Sequence, residues 1–151
     1  CLFRNFLDSQ AYILFWWCRN LVEWAVLMTK NTQLSGKRIL VVEDEILAVM
    51  ELTDILESRD CTIVGPVSSL KDALPLAENS DYDAAVLDIT LRDGEVFPLA
   101  HWLQEHQVPF IFATAYGSSA GLTEEFSSYT LVPKPYPEQR LVRALDQAIN
   151  G

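Results

Sequence analysis

Five polar residues carry the chemistry open to this chain: Glu43 and Asp44, Asp88, Thr114, and Lys134. Each follows a short apolar run, so each is expected at the carboxyl end of a buried strand. Three carboxylates drawn close together repel one another unless a cation shares them. A hard divalent ion held by oxygens, such as Mg2+, meets that need. The Thr114 hydroxyl and the compact charge of Lys134 both suit an oxyanion. A carboxylate nucleophile, a divalent ion, a hydroxyl and an ammonium are together the parts needed to accept a phosphoryl group. Taken singly, each residue has a plainer use: acids cap helices, a strand-end Thr caps a turn, a Lys is solvated. Their recurrence at strand ends favours the chemical reading.

The elements that must position them follow from periodicity. Apolar runs at Lys37 to Val42, Cys61 to Val67, Asp83 to Asp88, Pro109 to Thr114 and Tyr129 to Val132 read as five strands. Stretches with helical spacing alternate with them: Ile46 to Ser58, Leu70 to Glu78, Val96 to Gln107 and Glu138 to Ile149. Pro98 is tolerable only in the first turn of its helix. Gly117 to Phe126 reads as loop or weak helix. Alternating strands and helices predict an α/β sandwich on a parallel sheet, and five units suit the flavodoxin-like order 2-1-3-4-5. In such sheets ligands sit beyond the carboxyl ends of the strands, where Asp88 falls. Pro133 then requires an edge strand or a strand end.

Composition narrows the class. The chain has 151 residues, half of them hydrophobic, and a net charge of −10. That charge argues against nucleic acid as a partner, since phosphate binding needs clustered Lys and Arg. Three scattered cysteines form neither a zinc pattern nor a disulfide framework and fit a reducing cytoplasm. Residues 1–36 are a separate aromatic-rich extension, expected to be helical, holding Trp16, Trp17 and Trp24 of the four tryptophans. Ala11 to Cys18 is shorter than the roughly 20 residues a bilayer span needs, and lengthening it takes in Arg19 and Glu23. The extension either buries its aromatics on a partner copy or on this domain, or is upstream sequence without a role. Residues 29–36 read as a linker, and 37–151 as the domain.

Over that domain the sequence resembles the receiver domain of bacterial two-component response regulators, the CheY-like group. The residues that carry the resemblance are Ile39 to Glu45, Val86-Leu87-Asp88, Phe112-Ala113-Thr114-Ala115 and Lys134-Pro135. The resemblance implies that Asp88 is a phosphoacceptor served by a phosphohistidine on a histidine kinase or phosphotransfer protein. It implies Mg2+ held by Glu43, Asp44, Asp88 and the Thr90 backbone carbonyl. Thr114 and Lys134 would bind phosphoryl oxygens, and the bond before Pro135 would be cis. Many receivers carry an aromatic switch three positions before the site lysine; here that position is Leu131, with Tyr129 two residues earlier. Pro109 to Gly117 instead resembles the FAT GUY receiver subgroup, which implies that Tyr116 and the Gly117 to Phe126 segment move, and which includes receivers associated with HWE-type kinases.

The expectation is therefore a phosphorelay switch, not a turnover enzyme. Because the chain ends just after its last helix, output is expected through protein contacts rather than a DNA-binding module. A homodimer could use the N-terminal helix or the face of the last strand and last helix. The alternatives are a receiver fragment of a hybrid sensor kinase and a phosphorylation-independent dimerising module. A phosphohydrolase of the haloacid dehalogenase kind would need a second Asp two residues after Asp88, where Thr90 stands.

Overall fold

The computed structural model describes residues 13–23, 34–115 and 121–151. The chain divides into two compact units, Cys1–Gln33 and Leu34–Gly151. In the first, residues 13–23 form an α-helix on which Arg19 and Glu23 pair at 3.9 Å and Phe15, Trp16 and Trp17 are exposed. Among the described residues no helix is long and apolar enough to cross a membrane. Residues 34–36, read from sequence as linker, belong to the second unit. Leu34 is buried in the core, Ser35 Oγ donates to Asp60, and the Gly36 N–H donates to the Asp60 carbonyl.

The second unit is built on strands β1 (Arg38–Val42), β2 (Thr62–Val67), β3 (Ala84–Asp88), β6 (Phe110–Thr114) and β7 (Leu131–Pro133). They form a parallel sheet in the order β2-β1-β3-β6-β7. This is the predicted five-strand flavodoxin-like arrangement. Two-residue strands β4 (Thr90–Leu91) and β5 (Gly94–Glu95) make a small antiparallel hairpin directly after Asp88. The helices are α1 (Ile46–Ser58), α2 (Leu70–Asn79), α3 (Phe97–Glu105) and α4 (Glu138–Asn150), with a 3₁₀ turn at Glu124–Phe126.

The central strands read as unbroken apolar runs because helices cover both sheet faces. Side chains alternate across the sheet, so Ile39 and Val41 pack with Leu52, Leu56 and Leu141 of α1 and α4. Leu40 and Val42 pack on the other face with Ala73, Leu99 and Leu103 of α2 and α3. Pro98 sits in the first turn of α3, where no helical N–H is lost. Pro75 lies inside α2, on its exposed side, where water can serve the carbonyl its ring leaves unpaired.

Two local features bring the strand ends into line. The β1–β2 register slips between Leu40 and Val42, at Gly65, whose φ is +96°. A Cβ there would lie 3.0 Å from the Val67 nitrogen and 3.1 Å from the Val41 oxygen, so only glycine fits. The slip lets the Val67 carbonyl accept from the Glu43 N–H at 2.9 Å, which fixes the exit of β1. The other feature is Asp93, in the hairpin turn, whose carboxylate accepts from the Leu70 and Lys71 N–H groups at 2.8 and 3.0 Å. It caps α2 alongside Ser69, which accepts from the Asp72 N–H. These two amides hold its carboxyl below the usual range. Asp93→Ala is expected to lower the melting temperature and to speed hydrogen exchange at Leu70 and Lys71. Unchanged exchange at those amides would show that the cap does not hold the hairpin.

The last strand differs from expectation. It begins at Leu131, not Tyr129, because the 3₁₀ turn closes onto Tyr129, whose N–H donates to the Phe126 carbonyl at 3.0 Å. Tyr129 is thus outside the strand, yet it packs on the same side of the sheet as Leu131. Its ring stacks on Phe110 at 4.5 Å, while Leu131 pairs with Phe112.

Candidate functional site

Parallel pairing places Val42 beside Leu87, Asp88 beside Ala113, and Thr114 beside Pro133. The next residues out, Glu43, Asp88, Thr114 and Lys134, thus emerge along one edge of the sheet. The first three are 2%, 6% and 5% exposed. Polar groups so deeply placed must find partners or be destabilising.

Lys134 is the partner that Glu43 and Asp88 share. Its Nζ donates to Glu43 Oε1 and Oε2 at 3.0 and 2.8 Å and to Asp88 Oδ2 at 3.0 Å, with Glu45 at 3.8 Å. Burial lowers its affinity for a proton, but hydrogen bonds to Glu43 and Asp88 outweigh that and its pKa is raised. The Lys134 N–H donates to the Thr114 carbonyl at 2.8 Å, joining the two strand ends. The Lys134–Pro135 peptide is cis.

Among the described residues Asp88 is the most perturbed carboxylate. Burial first, then the neighbouring Glu43, raise its pKa from 3.8 to about 7, against the pull of Lys134. Its other oxygen, Oδ1, accepts from the Thr90 N–H at 3.3 Å. Thr90 opens β4 and is exposed. Asp44 is half-buried, and its carbonyl accepts from Arg92 at 3.5 Å. Glu43, Asp44 and Asp88 each offer an oxygen, all within 4.8 Å of one another. An all-oxygen, acid-rich donor set with one lysine to offset it fits a hard divalent cation.

Tyr136 is the member that sequence reasoning missed. It is buried, and its hydroxyl donates to Glu43 Oε2 at 3.1 Å. Burial and the Glu43 charge push its pKa up, so it is a phenol and a donor. The signal was its place two residues after Lys134, between Pro135 and Pro137. Tyr116 lies outside the described residues, as do 117–120. His101 and His106 stand apart on and just after α3, the first beside Glu125 at 3.3 Å and the second stacked on Trp102.

Comparison with known proteins bears on the family and the fold. Sensory transduction protein LytT of Bacillus cereus is 36% identical over 111 residues, 72% of this chain and 45% of LytT. The chain thus spans about half the length of the curated relatives it matches. The solution structure of SdrG from Sphingomonas melonis Fr1 superposes with a TM-score of 0.66 at 39% identity, covering 72% of this chain and 92% of SdrG. The response regulator PhyR from Brucella abortus superposes at 0.69 with 27% identity, over 83% of this chain and 54% of PhyR. The profile of the response regulator receiver domain matches residues 39–146, most of the chain, which therefore belongs to the response regulator receiver domain family.

Proposed function

We propose that this chain is a phosphoacceptor switch in which Asp88 carries the phosphoryl group. The observation that carries the reading is Lys134 Nζ, held 3.0 Å from Asp88 Oδ2 in a site where three acids converge. An Asp88 oxygen attacks phosphorus and forms a new O–P bond. With a histidine kinase or phosphotransfer protein as donor, the N–P bond breaks. Its electron pair goes to the imidazole, which leaves neutral because its other nitrogen keeps its proton. Glu43, Asp44, Asp88 and the Thr90 carbonyl are the groups assigned to hold Mg2+. Bound there, the ion supplies positive charge against the carboxylates and the phosphoryl oxygens. Thr114 and Lys134 bind those oxygens as charge develops.

The product carries about −1.5 to −2 of charge on its phosphoryl group in place of the single charge of the carboxylate, in a site already acidic. Drawing Thr114 toward it biases the segment that follows β6, with Tyr116, Tyr129 and Leu131 as the responding side chains. Such a bias is a population shift between two packings. Output is contact with a protein partner, in keeping with a net charge of −10. A homodimer through residues 13–23 or through the β7–α4 face, and a kinase of the HWE type, belong to the same proposal.

Incubation with acetyl phosphate and Mg2+ is expected to add the mass of one phosphoryl group to the wild type and none to Asp88→Asn. Equal labelling of the two proteins, or none of the wild type, defeats the reading.

A further inference from the structure

Lys134 has no N–H to spare. An ammonium offers three donors, and here they go to Glu43 Oε1, Glu43 Oε2 and Asp88 Oδ2. A phosphoryl group arriving on Asp88 can be bound by this lysine only if one of those bonds is given up. Two of the three bonds go to Glu43, so the loss falls there unless the Asp88 bond is the one exchanged; Glu43 is 2% exposed, and a buried carboxylate that loses a donor is disfavoured.

Each Glu43 oxygen has a second donor. Oε1 accepts from the Glu45 N–H at 3.0 Å, and Oε2 accepts from the Tyr136 hydroxyl at 3.1 Å. The first is backbone and cannot be lost by substitution. The second depends on one side chain, which is itself packed in the core beside Leu141 and Val132 and so has little freedom to turn away.

We infer that Tyr136 is a positioning residue for phosphoryl acceptance: its hydroxyl keeps Glu43 Oε2 satisfied and so releases Lys134 to the phosphoryl oxygens. The inference rests on the proposed role of Asp88. Without the hydroxyl, Lys134 becomes the only side-chain donor to Oε2, and Glu43 competes with the phosphoryl group for it. The role acts through Lys134 rather than through the cation, so loss of the hydroxyl is not expected to weaken Mg2+ binding.

The test is Tyr136→Phe, which keeps the ring and its packing. Phosphorylation by acetyl phosphate in saturating Mg2+, followed by intact mass, is expected to slow about tenfold, the scale of one hydrogen bond to a charged group. Mg2+ affinity, titrated calorimetrically without phosphodonor, is expected to be no weaker than in the wild type. In a Glu43→Gln background, where the buried charge is gone and Mg2+ is raised until that variant's own labelling rate is saturated and measurable, Tyr136→Phe is expected to have little further effect on the rate. An unchanged rate in Tyr136→Phe overturns the inference. So does weakened Mg2+ binding, or an equal slowing in the Glu43→Gln background, which would mark a packing role. Wild type that takes no label defeats the acceptor reading and this inference with it; labelled wild type with an equally fast Tyr136→Phe defeats this inference alone.

Discussion

Asp88→Asn is expected to stabilise the fold by up to about 4 kcal/mol at pH 8 in Mg2+-free buffer, the worth of a shift of roughly three pH units in which the pull of Lys134 is already included. The cause is the raised pKa of Asp88, from 3.8 to about 7. Between those two values the unfolded chain has already given up the proton that the folded chain keeps. The fold therefore binds more protons there, and its stability falls as pH climbs from about 4 to 7. Above that window Asp88 is ionised in both states and the full penalty stands; below it the penalty is absent. Asn has no charge to bury and leaves Lys134 with both oxygens of Glu43. Urea denaturation of the two proteins from pH 4 to 8 should show a gap that opens across the window and then levels off. Mg2+ should narrow it by raising the wild type, since a ligand of the folded state alone stabilises that state. A variant no more stable than wild type at pH 8, or a gap independent of pH, would show that the acid cluster carries no such strain. A wild-type site less stable than its neutral Asn substitute is the expected outcome, a trade common where activity needs converging charges.

The second large effect is in the core beneath the segment that joins β6 to β7. Phe126→Ala is expected to cost about 3–5 kcal/mol, the range for emptying an aromatic core position. Phe126 is fully buried. Its ring stacks on Phe97 at 5.6 Å and meets Phe112 edge-on at 5.6 Å and Tyr129 at 5.5 Å, with His101 at 5.0 Å. These partners come from α3, β6 and the turn before β7, so no single element can close the cavity by shifting. The urea midpoint should fall with the slope unchanged, as for a loss of stability without a change in the surface exposed. A loss below about 1 kcal/mol would mean that the site collapses freely, contrary to close packing.

Much of the scaffold was legible in the residues. Unbroken runs such as Ile39-Leu40-Val41-Val42 suit strands covered on both faces, and in a parallel sheet the polar residue that ends each run comes to the same edge. That is why Glu43, Asp88, Thr114 and Lys134 could be grouped from spacing alone, and why the sheet order followed from five strand–helix units. Strand limits were less visible where a turn borrows apolar residues. Tyr129 looks like strand by type but is claimed by its hydrogen bond to Phe126.

Tertiary structure alone decided how the site is wired. Periodicity places Lys134 at a strand end but cannot say that its three donors are divided between Glu43 and Asp88, because that depends on distances across β1, β3 and β7. Nor could it mark Tyr136, whose apolar ring suits the core while its hydroxyl reaches a carboxylate 93 residues away in the chain. The slip at Gly65 that holds the exit of β1 is likewise a property of two strands together. Sequence determined which chemical groups this protein brings to one edge, since burial and alternation are local; contact between distant segments decided which of them share a proton donor.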